Sequence, residues 1–220
     1  MKLFLTSSGI SNLTLAHALG KLLKKPFEES SITFIPTAAN LEPDEKSWLV
    51  NDFWNLKTLG FPIFDIVDIA IAPKDIWLPK FERADLLVFG GGITTYLREW
   101  IKKSGVEAML PKFLETKVYM GISAGSMVTA NTISLTSENL LYYEKKENFQ
   151  PPMKGLGFVD FEIRPHLNSP YFPKVTIPFL ENVAKKDPVP FYAIDDNTAI
   201  QVVDGTVTVV SEGTWKKFNE

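Results

Sequence analysis

A serine between two glycines is the clearest candidate for chemistry in this sequence. The stretch from Val118 to Ala130 reads VYMGISAGSMVTA, with Ser123 at its centre and Gly121 and Gly125 two residues to either side. The apolar start favours a strand and the small residues that follow favour a helix, which is the pattern of a Gly-x-Ser-x-Gly nucleophile elbow. The alternative is a strand-to-helix connection of small residues without chemistry.

A serine hydroxyl on such a turn needs a general base before it can attack a substrate. The chain has two histidines, His17 and His166. His17 falls within a predicted helix, where a surface or packing role is the simpler interpretation. His166 comes just after the predicted strand Phe158 to Arg164, and active sites of parallel sheets form at the carboxyl ends of strands. We therefore expect His166 to be the base.

An imidazole base in turn needs an acid that orients it and stabilises its charged form. Asp195 and Asp196 close the predicted strand Phe191 to Ile194, and Glu138 follows the elbow helix. Because side chains alternate in direction along a strand, only one of the two aspartates should face the site. The sequence does not decide which acid it is, and Asp195-Asp196-Asn197 could also be a plain polar turn.

Three consecutive glycines form a second candidate feature. Gly90 to Gly92 follow the apolar strand Ala84 to Phe89 and precede a predicted helix. Their spacing is not Gly-x-Gly-x-x-Gly and the chain has no Walker loop, so a nucleotide site is poorly supported. The N–H group of Gly92 is instead a candidate oxyanion donor, with a simple tight turn as the alternative.

Composition sets limits on the class of protein. The chain has 220 residues, 45% of them hydrophobic and 22% charged, which predicts one α/β domain spanning 1–220. A net charge of −3 gives no reason to expect nucleic acid or an anionic membrane as partner. The absence of cysteine excludes disulfides, zinc–thiolate sites and a cysteine nucleophile. Without a signal-peptide core or an apolar run of ~18 residues, we expect a soluble cytoplasmic protein.

The elements that must position these residues alternate between strand and helix. Further strands are predicted at Lys2 to Ser7, Ile32 to Ile35 and Phe61 to Val67. Such alternation indicates an α/β fold with a mostly parallel sheet flanked by helices. Near the C-terminus, Thr198 to Val203 and Thr206 to Val210 flank Asp-Gly, which predicts an antiparallel hairpin.

Two further helices are predicted from local sequence signals. Pro173 to Lys186 is predicted to be helical, with an irregularity at Pro178. In the predicted helix that follows Pro43, the aromatic residues Trp48, Phe53 and Trp54 are interpreted as core packing, with pocket lining as the alternative.

Five segments carry a resemblance to a known family. They are FIPTAAN (Phe34–Asn40), FGGGITTYL (Phe89–Leu97), GISAGS (Gly121–Ser126), RPH (Arg164–His166) and AIDDNTAI (Ala193–Ile200). In this order they resemble the serine dipeptidases of the peptidase E (aspartyl dipeptidase) family, relatives of cyanophycinase. The resemblance implies a class I glutamine amidotransferase-like fold.

The resemblance also implies roles for individual residues. Ser123 matches the family nucleophile and His166 the family histidine, while the oxyanion donors match the N–H groups of Gly92 and Ala124. No metal or cofactor is implied, and the substrates would be short peptides, including those with an N-terminal aspartate.

For the acid, the resemblance offers both Asp196 and Glu138. We favour Asp196 because it follows a strand end, as His166 does. The sequence also departs from the family in two places: Ile93 follows the glycines where Asn is common, and Arg164 precedes Pro-His where Asn is common. Both positions would help shape the substrate pocket, and Arg164 could either attract a substrate carboxylate or pair with a structural acid.

The expected activity is hydrolysis of short peptides through an acyl-enzyme. One alternative is a serine esterase or amidase that acts on non-peptide substrates with the same site. Another is a catalytically idle ligand-binding homologue. The sequence leaves open whether the chain forms a homodimer.

Overall fold

A central sheet with helices on both faces organises the chain. The computed structural model describes residues 1–134, 140–142 and 152–219. Its strands are β1 (Lys2–Thr6), β2 (Ser31–Ile35), β3 (Ile63–Ile66), β4 (Leu86–Phe89), β5 (Val118–Ile122), β6 (Thr132–Ile133), β7 (Met153–Lys154), β8 (Glu162–Arg164), β9 (Phe191–Ile194), β10 (Thr198–Val203), β11 (Thr206–Ser211) and β12 (Trp215–Phe218).

The helices connect these strands. They are α1 (Leu13–Leu23), α2 (Ser47–Lys57), α3 (Lys74–Arg83), α4 (Thr94–Lys103), α5 (Val106–Phe113), α6 (Ala124–Met127) and α7 (Ile177–Ala184), with 3-10 turns at Phe27–Glu29 and Thr37–Leu41. A further helical stretch covers 140–142. Within the described ranges, none of the helices is both long and apolar enough to cross a bilayer.

The main sheet is mostly parallel. Across the described residues it has seven strands in the order β11-β10-β1-β5-β4-β2-β3. The five strands from β1 to β3 in that order pair in parallel, and the β10–β11 hairpin joins the edge of β1 antiparallel. The predicted α/β architecture with its C-terminal hairpin is therefore confirmed. A smaller sheet, in the order β12-β9-β8, lies beside it.

Both faces of the main sheet are buried, as expected when helices cover a parallel sheet. In β1, Leu3 and Leu5 pack into the cluster on one face, while Phe4 packs into the cluster on the other. All three side chains are fully buried. This double packing fixes the strands, and with them the positions of the loops at their carboxyl ends.

The C-terminal half differs from the sequence prediction in two places. The predicted strand Phe158 to Arg164 shortens to β8, because the N–H groups of Gly157 and Phe158 bond instead to the carbonyls of Ala130 and Thr129. The predicted helix Pro173 to Lys186 shortens to α7. Pro178 lies in its first turn, where the missing N–H group costs no hydrogen bond, so it introduces no irregularity.

The aromatic residues of α2 have different surroundings from one another. Phe53 packs edge-on against Phe34 of β2, with ring centroids 4.5 Å apart. Trp54 is 68% exposed, so the prediction of core packing is wrong for this residue. Trp48 is half-buried and lies over Gly91, next to the carboxyl end of β4.

Candidate active site

The carboxyl ends of the central strands carry the functional candidates. Ser123 follows β5, and its N–H group donates to the carbonyl of Thr6 at the end of β1, over 3.0 Å. Ser7 follows Thr6, and Gly90–Gly92 follow the next strand, β4. Because these strands are adjacent and parallel, their ends bring the three segments to one edge of the sheet.

The backbone at Ser123 is held in a strained conformation. Its φ of 49° and ψ of −108° lie outside the regions that side chains other than glycine favour. Hydrogen bonds hold the turn in place: the Thr6 hydroxyl donates to the Gly121 carbonyl over 2.9 Å, and the Ser126 hydroxyl donates to the Thr6 carbonyl over 2.8 Å. The strain directs the Ser123 side chain out of the turn, as in a nucleophile elbow.

The glycines of the elbow are required by close backbone approach. A Cβ on Gly125 would lie 1.9 Å from the carbonyl oxygen of Phe89, and one on Gly121 would lie 2.6 Å from the Gly125 backbone. A Cβ on Gly92, whose φ is 125°, would lie 2.3 Å from the carbonyl oxygen of Ala38. Only glycine fits these positions without displacement of neighbouring backbone.

We expect Gly125→Ala to destabilise the protein by at least ~3 kcal/mol, because the added methyl group meets the backbone of β4 rather than a movable side chain. Urea unfolding would measure this. The matched control is Gly20→Ala in α1, where a Cβ meets only the edge of Phe27 at 3.4 Å and alanine favours the helix. Equal midpoints for Gly125→Ala and the wild type would contradict the close approach.

Ser123, His166 and Asp196 form a connected chain of hydrogen bonds. The Ser123 Oγ lies 3.0 Å from His166 Nε2, and His166 Nδ1 lies 2.9 Å from Asp196 Oδ1. An ionised carboxylate can only accept a hydrogen bond, so Nδ1 carries the proton and Nε2 presents a lone pair to the Ser123 hydroxyl. This is the tautomer that a general base requires.

His166 is oriented by its own backbone and by a neighbouring ring. Its φ of 65° is left-handed, and its N–H group donates to the hydroxyl oxygen of Ser7 over 2.8 Å. The imidazole stacks on Phe172, with centroids 4.7 Å apart and planes 28° from parallel. The ring therefore has little freedom to turn away from Ser123.

Ser7 is a contact that sequence reasoning missed. This fully buried residue donates its hydroxyl proton to Asp196 Oδ1 over 2.5 Å while it accepts from the backbone of His166. Burial acts to raise the pKa of Asp196, but the hydrogen bond and charge of His166 and the bond from Ser7 together hold that pKa below its usual value. Asp196 is thus held in the charged form that can accept from His166.

The two neighbouring aspartates point to different surroundings. Asp195 accepts from the backbone N–H groups of Asn197 and Thr214 and from the Thr198 hydroxyl, so it braces the start of the β10–β11 hairpin. Asp196 alone of the pair contacts the imidazole. The other acid considered from the sequence, Glu138, lies outside the described residues.

Two backbone N–H groups lie near the serine. Ala124 is the first residue of α6, and an N–H group in the first turn of a helix has no acceptor inside it. The N–H of Gly92 has no protein acceptor among the described residues. Gly91, which precedes it, is within contact distance of Ser123: a Cβ there would lie 3.4 Å from the Cβ of Ser123.

A family model described as peptidase family S51 matches residues 3–210. The chain belongs to peptidase family S51. It is 29% identical over 217 residues to an uncharacterized peptidase of Pasteurella multocida, covering 93% of this chain and 95% of that protein. It is 28% identical over 177 residues to an uncharacterized peptidase of Listeria monocytogenes, covering 77% and 80% respectively. An S51 member is a serine peptidase, and so a hydrolase.

Solved structures share the fold. The chain superposes with a TM-score of 0.77 on a crystal structure of a Listeria monocytogenes protein provisionally assigned as a peptidase E, with 23% identity and coverage of 96% of this chain and 98% of that one. A peptidase from an acI-B1 Actinobacterium gives a TM-score of 0.71 at 21% identity, with coverage of 97% and 88%. The glutamine amidotransferase-like fold expected of a peptidase E relative is therefore confirmed.

This S51 sequence departs from the family pattern at Arg164 and Ile93, and the two residues have different surroundings. Arg164 is 1% exposed; its guanidinium bonds to Glu162, lies 3.9 Å from Asp187 and covers the ring of Phe191. This geometry agrees with the structural pairing and not with attraction of a substrate carboxylate. Ile93 is half-buried, and its N–H group donates to the Ala38 carbonyl over 2.9 Å.

His17 lies far from these residues. It is exposed on α1 and lines a surface concavity of about 790 Å³ together with Met1, Lys2 and Asp204. That concavity is at the amino end of β1, whereas Ser7 follows the carboxyl end. The structure does not bring His17 to Ser123.

A second carboxylate near the site was also missed. Asp52 lies in α2 and is 6% exposed. Burial and, secondarily, the charge of Asp196 raise the pKa of Asp52 to about 7. The sequence pattern could have indicated that Asp52 is buried. Asp52 comes four residues after Trp48 and four before the buried Leu56, on the apolar side of the helix.

Asp52 should make stability depend on pH. Its pKa is about 7 when folded and 3.8 in the reference state, so the folded protein keeps a proton that the unfolded chain releases between these values. The resulting stabilisation is present at low pH and is lost as pH rises through about 7. We expect Asp52→Asn to gain on the order of 3 kcal/mol relative to the wild type between pH 5 and pH 8.

Urea unfolding of both proteins at pH 5 and pH 8 would measure this difference. Glu99→Gln, which removes an exposed carboxylate paired with Lys103, is the control for loss of one surface charge. If the stabilities of Asp52→Asn and the wild type change in parallel between the two pH values, the raised pKa is wrong.

Proposed function

We propose that this S51 member is a dipeptidase-like serine peptidase that hydrolyses short peptides through an acyl-enzyme. Ser123 is the nucleophile, His166 the general base and acid, and Asp196 the acid that orients His166. The observation that carries the proposal is the 3.0 Å contact between the Ser123 hydroxyl and His166 Nε2, with Asp196 2.9 Å from Nδ1.

The proposed reaction runs in two halves. Ser123 Oγ attacks the scissile carbonyl while its proton passes to His166 Nε2, and the new imidazolium is stabilised by Asp196. The N–H groups of Gly92 and Ala124 donate to the oxyanion of the tetrahedral intermediate. His166 then protonates the leaving amine, which departs to give the acyl-enzyme. Water, deprotonated by His166, attacks the ester and releases the acid and Ser123.

The local environment supports these roles. The strained turn at Ser123 exposes the hydroxyl, the Ser7 contacts hold both His166 and Asp196, and Phe172 restrains the imidazole. Arrangement of this kind before the substrate arrives is what lowers a barrier, because no reorganisation is needed during the reaction.

Labelling and hydrolysis together would test the proposal. A fluorophosphonate probe should label the native protein on Ser123 and leave heat-unfolded protein unlabelled. A panel of dipeptides and tripeptides, with aspartyl and neutral amino-terminal residues, should be hydrolysed at rates well above those for aryl esters. A preference for aryl esters over all peptides would favour an esterase, and failure to label would favour an idle homologue.

A further inference from the structure

Helix α2 presents one face to the proposed catalytic residues. Trp48 and Asp52 are four residues apart and so project from the same side of the helix. The Trp48 ring edge and the Ser123 Cβ each lie 3.4 Å from one point, the position that a Cβ on Gly91 would occupy. Trp48 therefore reaches the immediate surroundings of the nucleophile.

Asp52 reaches the neighbouring strand end, one helical turn along α2. Its Oδ1 lies 3.2 Å from the position of a Cβ on Gly9, and the side chain of Ile122 lies 3.4 Å from the same position. Gly9 follows Ser7 in the loop after β1, and Ile122 directly precedes Ser123. The carboxylate thus lies against the loop that contacts Asp196 and near the end of the strand that carries the nucleophile.

This carboxylate has no counter-charge among the residues that the structure describes. In the part of the chain that the structure describes, Asp52 makes no hydrogen bond and no ion pair, although it is more than nine-tenths buried. Among the described residues, the charged group that acts on it is Asp196, another carboxylate. Each of its oxygens keeps some contact with solvent, because neither is among the fully enclosed and unpaired polar atoms of the described residues.

A buried carboxylate without a partner costs stability, and such a cost is typical of groups that serve a ligand. The ligand that would best satisfy it carries both positive charge and several N–H donors, because charge-assisted hydrogen bonds are the strong ones. A primary ammonium group meets both requirements. In a dipeptide, the free α-ammonium is attached to the carbon next to the scissile carbonyl, so it must lie close to Ser123 during attack.

We infer that Asp52 binds a primary ammonium group of the substrate, and that the site therefore selects short peptides with a free amino terminus. The inference rests on the proposed function for its substrate class. An acylated amino terminus would leave the carboxylate unpartnered, and an acidic group at this place would be repelled by both Asp52 and Asp196.

Three matched substrates would test the inference: alanyl-phenylalanine, N-acetyl-alanyl-phenylalanine and N-acetyl-lysyl-phenylalanine. The readout is the ratio of kcat/KM for the free-amine peptide to that for its acetylated form. Loss of a hydrogen-bonded charge contact should lower this ratio by at least about tenfold in Asp52→Asn. The lysyl substrate separates the two sources of an ammonium group: if its rate depends on Asp52, the side-chain amine also binds there.

The control is Asp204→Asn, which removes the same charge at the opposite end of β1, where Asp204 pairs with the N-terminus. It should leave the ratio at the wild-type value. Asp52→Ala gives a second variant, and thermal melting verifies that each variant is folded. An unchanged ratio in folded Asp52→Asn and Asp52→Ala would overturn the inference.

A binding measurement keeps this test separate from the proposed function. Calorimetric titration of alanyl-phenylalanine into Ser123→Ala, and into Ser123→Ala combined with Asp52→Asn, needs no turnover. Binding that weakens at least tenfold in the double variant supports the ammonium site even if the wild type hydrolyses no peptide. Equal affinities overturn the ammonium site even if Ser123 proves to be the nucleophile.

Discussion

Ser123→Ala should lower peptide turnover by at least ~1,000-fold while the protein remains folded. Removal of the hydroxyl eliminates the atom that would form the acyl-enzyme, and His166 Nε2 then faces a methyl group. Some rate above that of water could persist, because backbone donors and substrate positioning do not depend on the hydroxyl. The measurement is kcat for the best peptide of the panel, with fluorophosphonate labelling as an independent readout.

Ser126→Ala is the matched control for this change. Ser126 lies three residues further along the same turn and helix, and its buried hydroxyl donates to the Thr6 carbonyl rather than facing His166. Its loss should cost about 1 kcal/mol of stability and leave turnover far above that of Ser123→Ala. Full activity and full labelling in folded Ser123→Ala would show that another residue is the nucleophile.

The fold could be predicted from the sequence because the strand, helix and turn patterns all indicated the same architecture. Apolar strands such as Leu86–Phe89 alternate with helices, and the Asp-Gly turn at 204–205 identifies the hairpin. Element boundaries were less accurate where tertiary contacts decide them. The region before β8 is an example, because its N–H groups bond to the loop after α6 instead of continuing the strand.

The catalytic candidates at strand ends could also be predicted from the sequence, but the residues that contact them could not. A predicted strand precedes each of Ser123, His166 and Asp196. This is enough to predict that the three side chains lie close together at the carboxyl ends of the strands. The choice between Asp195 and Asp196 depends on the local direction of the chain after β9, which a single sequence does not encode. Ser7 was missed because its role requires β1 to lie beside β5, and strand order cannot be read from local patterns.

Asp52 illustrates a different limit of prediction from sequence. An acid on the apolar side of a predicted helix is a local inconsistency, and such inconsistencies tend to mark functional positions. What the sequence cannot supply is the surroundings: Gly9, Ile122 and Asp196 come from three other segments of the chain. Only the folded structure shows that this carboxylate lies beside the catalytic candidates and lacks a counter-charge among the described residues.

Asp196→Asn should lower kcat by roughly 100- to 10,000-fold, with a smaller effect on stability. Asparagine has no charge with which to stabilise the imidazolium. Ser7 and His166 Nδ1 both contact Oδ1, so an asparagine amide oxygen in that place can still accept from both, but as a neutral acceptor it binds them more weakly than a carboxylate does. A weaker acceptor holds the proton on Nδ1 less firmly, and the tautomer with its proton on Nε2 cannot accept the proton of Ser123.

Two further variants make this prediction specific to Asp196. Asp195→Asn should reduce stability, because Asp195 accepts three hydrogen bonds at the start of the hairpin, but it should not reproduce the loss of kcat. Glu138→Gln tests the other acid that the sequence offers, and we expect it to retain most of the wild-type kcat. A large loss in Glu138→Gln together with a near-normal kcat in Asp196→Asn would reverse the assignment, since the acid that stabilises the imidazolium must be the one whose neutralisation slows the reaction.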